Sequence, residues 1–201
     1  MFYSDFNLKQ VREQFQLTFI DVDDLFADIT QIAISESLIE TLHYNVPLAM
    51  AIGTEKAKSE LIITNILVEV RKKLENKISF FSGINLDVDK EKGLVGFCDF
   101  LISQSQEQFC LSAPIIALVE AKNDNIGSGL GQCIAEMVAA FIFNEKEGKP
   151  LPIIYGVVTT GNVWKFLKLE NNCVYIDLRE YFIIQPEKIV SILIIMINNL
   201  A

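Results

Sequence analysis

Histidine and tryptophan occur once each in these 201 residues, and the four cysteines include no C-x-x-C pair. A lone His43 removes the main ingredient of a histidine–metal nuclease and of a His-based triad; a helix residue at or near the surface is expected there. Cys98, Cys110, Cys133 and Cys173 sit in apolar or strand-like contexts and read as reduced core residues of a cytoplasmic protein, not as zinc ligands. Positive charge is also scarce, with 17 Lys and Arg against 26 Asp and Glu and a net charge of −9. That balance is the reverse of the basic surface that usually meets a nucleic-acid backbone. The basic residues cluster only at Lys56, Lys58, Arg71, Lys72 and Lys73, which read as a solvated helix face. Met1–Gln10 has no basic segment leading into an apolar one, so no secretory signal is expected. The most apolar run, Ile189–Ile197, falls short of the roughly 20 residues that span a bilayer, and no membrane is expected as a partner.

What remains is globular, with 51% hydrophobic and 21% charged residues. No Gly/Ser-rich or Pro-rich linker and no repeat interrupts the chain, so residues 1–201 read as a single domain. Residues 1–50 suggest a strand over Phe15–Val22, a helix start at Asp23 or Asp24, and a short helix over Ser35–His43 ended before Pro47. Thr54–Leu74 is an amphipathic helix, capped by Thr54, with an apolar stripe through Leu61, Ile62, Ile66 and Val70. The period then changes to that of strands over Lys77–Val88, Leu94–Ser103 and Pro114–Lys122. A helix follows from Leu130 to about Asn144. Three more strands (Pro152–Thr159, Val163–Leu169, Cys173–Asp177) lead to a last helix from Pro186 to near Asn198. The order predicts an α/β fold.

Two of these strands carry charges that need an explanation. Ile115–Val119 is wholly apolar, as in a central strand covered on both faces, yet it runs into Glu120-Ala-Lys122. Alternation points Glu120 and Lys122 to the same face. Asp99 lies between Cys98 and Phe100 on the preceding strand. Ionised groups in such surroundings are costly unless paired or bound to a cation. If the two strands are neighbours, two carboxylates and an ammonium converge. That is a hard-oxygen site suited to Mg²⁺ or Mn²⁺, with a lysine placed to orient water or offset charge on a phosphate. The plainer alternative is a satisfied ion pair at a strand end.

The order of a Glu-bearing helix, a strand with Gly96-Phe-Cys-Asp99, a strand with Glu120-Ala-Lys122 and a helix opening near Gln132 resembles the PD-(D/E)xK superfamily. These are the restriction-endonuclease-like phosphodiesterases. The resemblance covers roughly residues 54–143. It leaves 1–50 as an N-terminal helical extension and 150–201 as C-terminal strands and a helix without a named counterpart. It implies a restriction-endonuclease-like core, a central mixed β-sheet flanked by helices. It also implies Asp99 and Glu120 as metal ligands aided by the Ala121 carbonyl, Lys122 positioning the attacking water, and Gln132 supporting the site or touching the phosphate. The family's helix usually lends a Glu. Glu55 and Glu60 both lie near the N-terminal half of that helix, about one and a half turns apart. Glu60 is slightly favoured and is grouped with the catalytic side chains; Glu55 stands as a candidate metal ligand, and Glu69 is expected to face solvent. Cys98 stands where the family often has Pro. DNA as substrate, a Mg²⁺ or Mn²⁺ cofactor and a homodimer are what the resemblance implies; a catalytically inactive nuclease fold that works through a protein partner is the alternative.

The remaining features carry blander expectations. Glu136 is expected to face solvent or a loop, Asn123 and Asn125 to be turn residues, and Trp164 to pack on an edge hairpin. Gly127-Ser-Gly-Leu-Gly131 lacks the Lys-Ser/Thr of a phosphate-binding loop.

Overall fold

The computed structural model describes Met1–Asn199. Strands β1 (Thr18–Val22), β2 (Ser79–Asn85), β3 (Phe97–Ser103), β4 (Ile115–Ala121), β5 (Ile153–Thr159), β6 (Val163–Glu170), β7 (Cys173–Asp177) and β8 (Tyr181–Phe182) form one eight-stranded sheet. Its order is β1-β7-β6-β5-β4-β3-β2, with β8 pairing to β6. The pairs β4–β5 and β1–β7 are parallel and the others antiparallel, so the sheet is mixed. Helices α1 (Leu8–Gln14), α2 (Glu36–Ile52), α3 (Glu55–Lys58), α4 (Thr64–Lys73), α5 (Ile126–Lys146) and α6 (Pro186–Asn198) flank it. The α/β class is therefore as the sequence pattern indicates, and the central sheet flanked by helices is mixed. Residues 1–50 supply an edge strand to this sheet as well as helices.

Every residue of β4 is buried. Its Ile115 and Leu118 face a core shared with α5 and the N-terminal segment, and Ile116 and Val119 face one shared with α4 and α6. Each fully buried Ile or Leu contributes roughly 1.5–3 kcal/mol, which is why an unbroken apolar run settles in the middle of the sheet. The start of β4 is fixed to the far end of α5 by Asn144, whose side chain accepts from Ile115 N (2.7 Å) and donates to Ile115 O (2.8 Å). That bond pair sets the helix–strand register and so places Gln132 over the other end of β4. By length and hydropathy α5 passes for a membrane span, but its residues from Cys133 to Ala140 are all buried inside the protein.

Thr54 caps α3 by accepting from Ala57 N (3.2 Å). The expected uninterrupted helix instead carries a π-helical turn, Ser59–Ile63, between α3 and α4. Asn45 of α2 donates to Leu61 O within that turn (3.0 Å). This contact and the burial of Leu42 and Ala49 hold α2 together past Pro47, where a helix end is expected; α2 stops only at Gly53, whose φ of 71° suits glycine. No helix begins at Asp23 or Asp24. Asp24 Oδ1 accepts from Phe26 N and from the Tyr181 hydroxyl, both at 3.1 Å, and Oδ2 pairs with Arg179 at 2.7 Å, so the carboxylate anchors a turn. Trp164 is not on an edge hairpin: it is fully buried in β6, with Nε1 donating to Gly161 O (3.0 Å). Cys110 is exposed instead of lying in the core; all four thiols are free.

Candidate functional site

Strands β3 and β4 are antiparallel neighbours whose last ladder pair on this side is Phe100 and Val119, which leaves Asp99 and Glu120 side by side just past the end of the ladder. Asp99, half-buried, accepts from Ala121 N through Oδ2 (2.8 Å). Glu120 is only 1% exposed. Its Oε1 accepts from Lys122 Nζ, and its Oε2 is buried with no hydrogen-bond partner among the described residues. Lys122 Nζ also donates to Gln132 Oε1 (3.2 Å), and Gln132 Nε2 donates to Glu136 Oε1 (3.1 Å). A continuous chain of polar contacts thus runs Glu120–Lys122–Gln132–Glu136 through an apolar interior.

The electrostatics follow from burial. Loss of water, and then the Asp99 carboxylate, push the Glu120 carboxyl up to about 8; Lys122 pulls it back only in part, and Glu55 adds a smaller push. For Lys122, burial acts to lower the ammonium pKa, but Glu120 outweighs it with help from Glu55 and Asp99, so the net direction is upward. Glu120 moves upward because burial strips water from its carboxyl and leaves Oε2 with no hydrogen-bond donor, more than the Lys122 ammonium on Oε1 offsets.

The sequence candidates divide clearly. Asp99, Glu120, Lys122 and Gln132 are brought together. Glu55 is exposed at the start of α3, yet close enough for its charge to be felt by Glu120 and Lys122. Glu60 is not brought to the site: it is exposed and pairs with Lys56 at 3.1 Å. Glu69, expected to face solvent, is 2% exposed and accepts from both Ser35 N and Ser35 Oγ at 2.8 Å, tying α4 to the start of α2.

Two further residues at the site belie their expected exposure. Glu136 is fully buried, with Oε2 unpartnered. Burial first, and then the Glu120 charge, push its carboxyl far up. It does not face solvent or a loop as expected, because the N-terminal segment covers the side of α5 away from the sheet, with Gly131 against the backbone of Phe6 and Asn7. Its sequence signal is a single carboxylate in the otherwise apolar run Cys133–Ala140, as anomalous as Glu120 in β4. Lys58 is the second. It is 6% exposed, not solvated, and its Nζ donates to Asn123 O and to Asn123 Oδ1 (3.2 Å) and pairs with Asp124 at 3.6 Å.

Gly129 and Gly131, in the first turns of α5, are packing residues. A Cβ on Gly129 would come within 2.7 Å of Val158 Cγ1 and 3.0 Å of Lys122 Cγ. Only glycine lets α5 close over the Lys122 stem.

No family model, curated protein or solved structure matches this chain.

Among the described residues no group of three His, Cys, Asp or Glu side chains closes into a metal cage. Asp99 and Glu120 form a pair, with Glu55 standing off. The donors present nonetheless fit a hard cation: the buried Glu120 Oε2 lacks any partner, and Asp99 engages Ala121 N through Oδ2 alone among the described residues. A pair of carboxylates completed by water and substrate oxygens is the usual manner in which Mg²⁺ is held.

Proposed function

We propose that this chain is a metal-dependent phosphodiesterase with a restriction-endonuclease-like core of the PD-(D/E)xK type, acting on DNA. The observation that carries the reading is the unpartnered, buried Oε2 of Glu120 beside Asp99, with an ammonium on the other Glu120 oxygen. Burying that carboxylate is costly in the absence of a cation, and a cost of this kind is characteristic of functional sites. Asp99 and Glu120 would hold Mg²⁺ or Mn²⁺. Such an ion polarises a phosphoryl oxygen and lowers the pKa of bound water. Lys122 has one face on Glu120 and is partly exposed, so it can orient the attacking water or offset charge on the phosphate. Gln132 fixes the Lys122 ammonium from the other side and is itself held by Glu136.

The test is plasmid nicking with Mg²⁺ or Mn²⁺, in wild type and in Lys122→Ala. Cleavage lost in the variant, with its metal affinity retained, supports the reading. Wild-type protein that binds neither ion and cuts no nucleic acid refutes it.

Two observations favour a second reading, an inactive nuclease fold that works through a protein partner. The net charge is −9, and α2 exposes Ile39, Tyr44, Leu48 and Ile52 beside a groove of about 890 Å³ that contains none of the site residues. A stable protein partner recovered together with an inert carboxylate pair selects this second reading.

A further inference from the structure

Lys58 belongs to none of the motif positions, yet its ammonium is among the most constrained in the protein. It reaches from α3 to the loop that follows Lys122 and engages the backbone oxygen and side chain of Asn123 and the carboxylate of Asp124. Its stem is enclosed from the other side by the β5–β6 turn, where a Cβ on Gly161 would approach Lys58 Cβ to 3.2 Å. The π-helical turn begins at the next residue, Ser59; such turns concentrate at functional sites. Glu55 lies three residues earlier in α3 and therefore on the same helix face. Anchoring Lys58 on Asn123 consequently fixes where the start of α3, which carries Glu55, lies relative to the loop after β4.

We propose that Lys58 is a positioning residue: by clamping α3 to the loop after Lys122, it holds Glu55 over the Asp99–Glu120 pair as the outer carboxylate of the cation site. This rests on the phosphodiesterase reading only in requiring that Asp99 and Glu120 bind a divalent cation. Lys58 touches neither substrate nor metal. Its hydrogen-bonding capacity is consumed by the loop, which distinguishes it from Lys122.

The experiment is a double-mutant cycle on Mn²⁺ affinity, measured by calorimetry on wild type, Lys58→Met, Glu55→Gln and the double variant. Loss of an outer partner typically weakens a metal about tenfold or more. Lys58→Met is expected to lose about tenfold in affinity, and to lose nothing further in the Glu55→Gln background. Because Lys58 is buried, the exposed loop is changed in parallel: Asn123→Ala with Asp124→Ala is expected to weaken Mn²⁺ in the same direction by a smaller factor. Unchanged affinity in Lys58→Met overturns the proposal, as does an equal loss with and without Glu55. If Lys58→Met does not fold, unchanged affinity in the loop variant overturns it. Wild-type protein that fails to bind Mn²⁺ overturns the phosphodiesterase reading itself, a separate outcome.

Discussion

Asp99 takes over from the backbone at the point where the β3–β4 ladder runs out: its Oδ2 accepts the N–H of Ala121 at 2.8 Å, one residue beyond Glu120. One oxygen is thereby committed to structure while the carboxylate is held against its neighbour. Asp99→Asn keeps an acceptor for Ala121 and loses the charge, so it is expected to fold with near wild-type stability and to lose divalent-cation binding. Asp99→Ala orphans the N–H and is expected to cost about 1–3 kcal/mol in addition. Urea unfolding compared with Mn²⁺ titration separates the two effects.

The upward shift at Glu120 gives stability a definite pH dependence. The folded carboxyl titrates at about 8, against an ordinary value of 4.5, so between those values the folded state binds more protons than the unfolded one. Stability of the metal-free protein therefore falls as pH rises from about 4.5 to about 8 and levels off above. Glu120→Gln is expected to flatten this decline, as is saturating Mg²⁺. Thermal melts at pH 5, 6.5 and 8 check both.

Glu136 acts in the same sense, since burial and the Glu120 charge raise its carboxyl and its Oε2 has no partner. Glu136→Gln removes the ionisable group and retains an acceptor for Gln132. It is expected to stabilise the protein at pH 8, on the order of 1–3 kcal/mol, and to have little effect at pH 4. Equal effects at both pH values would show that Glu136 carries no such burden.

Helix propensity alone says that Gly129→Ala should stabilise α5 by about 1 kcal/mol. The contacts say otherwise, because the new Cβ meets Val158 at 2.7 Å and Lys122 at 3.0 Å. Overpacking of this kind costs about 1–3 kcal/mol, so a net loss of stability is expected. Displacement of Lys122 should also lower any cleavage rate. A measured gain in melting temperature would mean that the helix shifts freely over the strand.

The strands were legible because their burial is written in consecutive residues: Ile115–Val119 admits only a covered strand, and Asp99, Glu120 and Lys122 stand out against it. The helices were less legible because a helix face is polar or buried according to what packs on it, and that lies elsewhere in the chain. Glu136 lies in a helix enclosed by the sheet and the N-terminal segment, Lys58 is covered by Asn123 and Gly161, and Glu69 by Ser35. Lys58 sits in a Lys-rich stretch that has every mark of a solvated face. The choice between Glu55 and Glu60 turned on helix phase, which the sequence pattern leaves open; the structure sends Glu60 outward to Lys56. Pro47 and Asp24 misled for a related reason: distant contacts to Leu61 and Tyr181 overrode the local signal.

The most direct measurement is anomalous diffraction from a crystal soaked in Mn²⁺. A peak at about 2.0–2.4 Å from Glu120 Oε2 and an Asp99 oxygen, absent in Glu120→Gln crystals, is the result expected if the carboxylate pair is a cation site. A featureless map at saturating Mn²⁺, with Lys122 still the sole partner of Glu120, would contradict it.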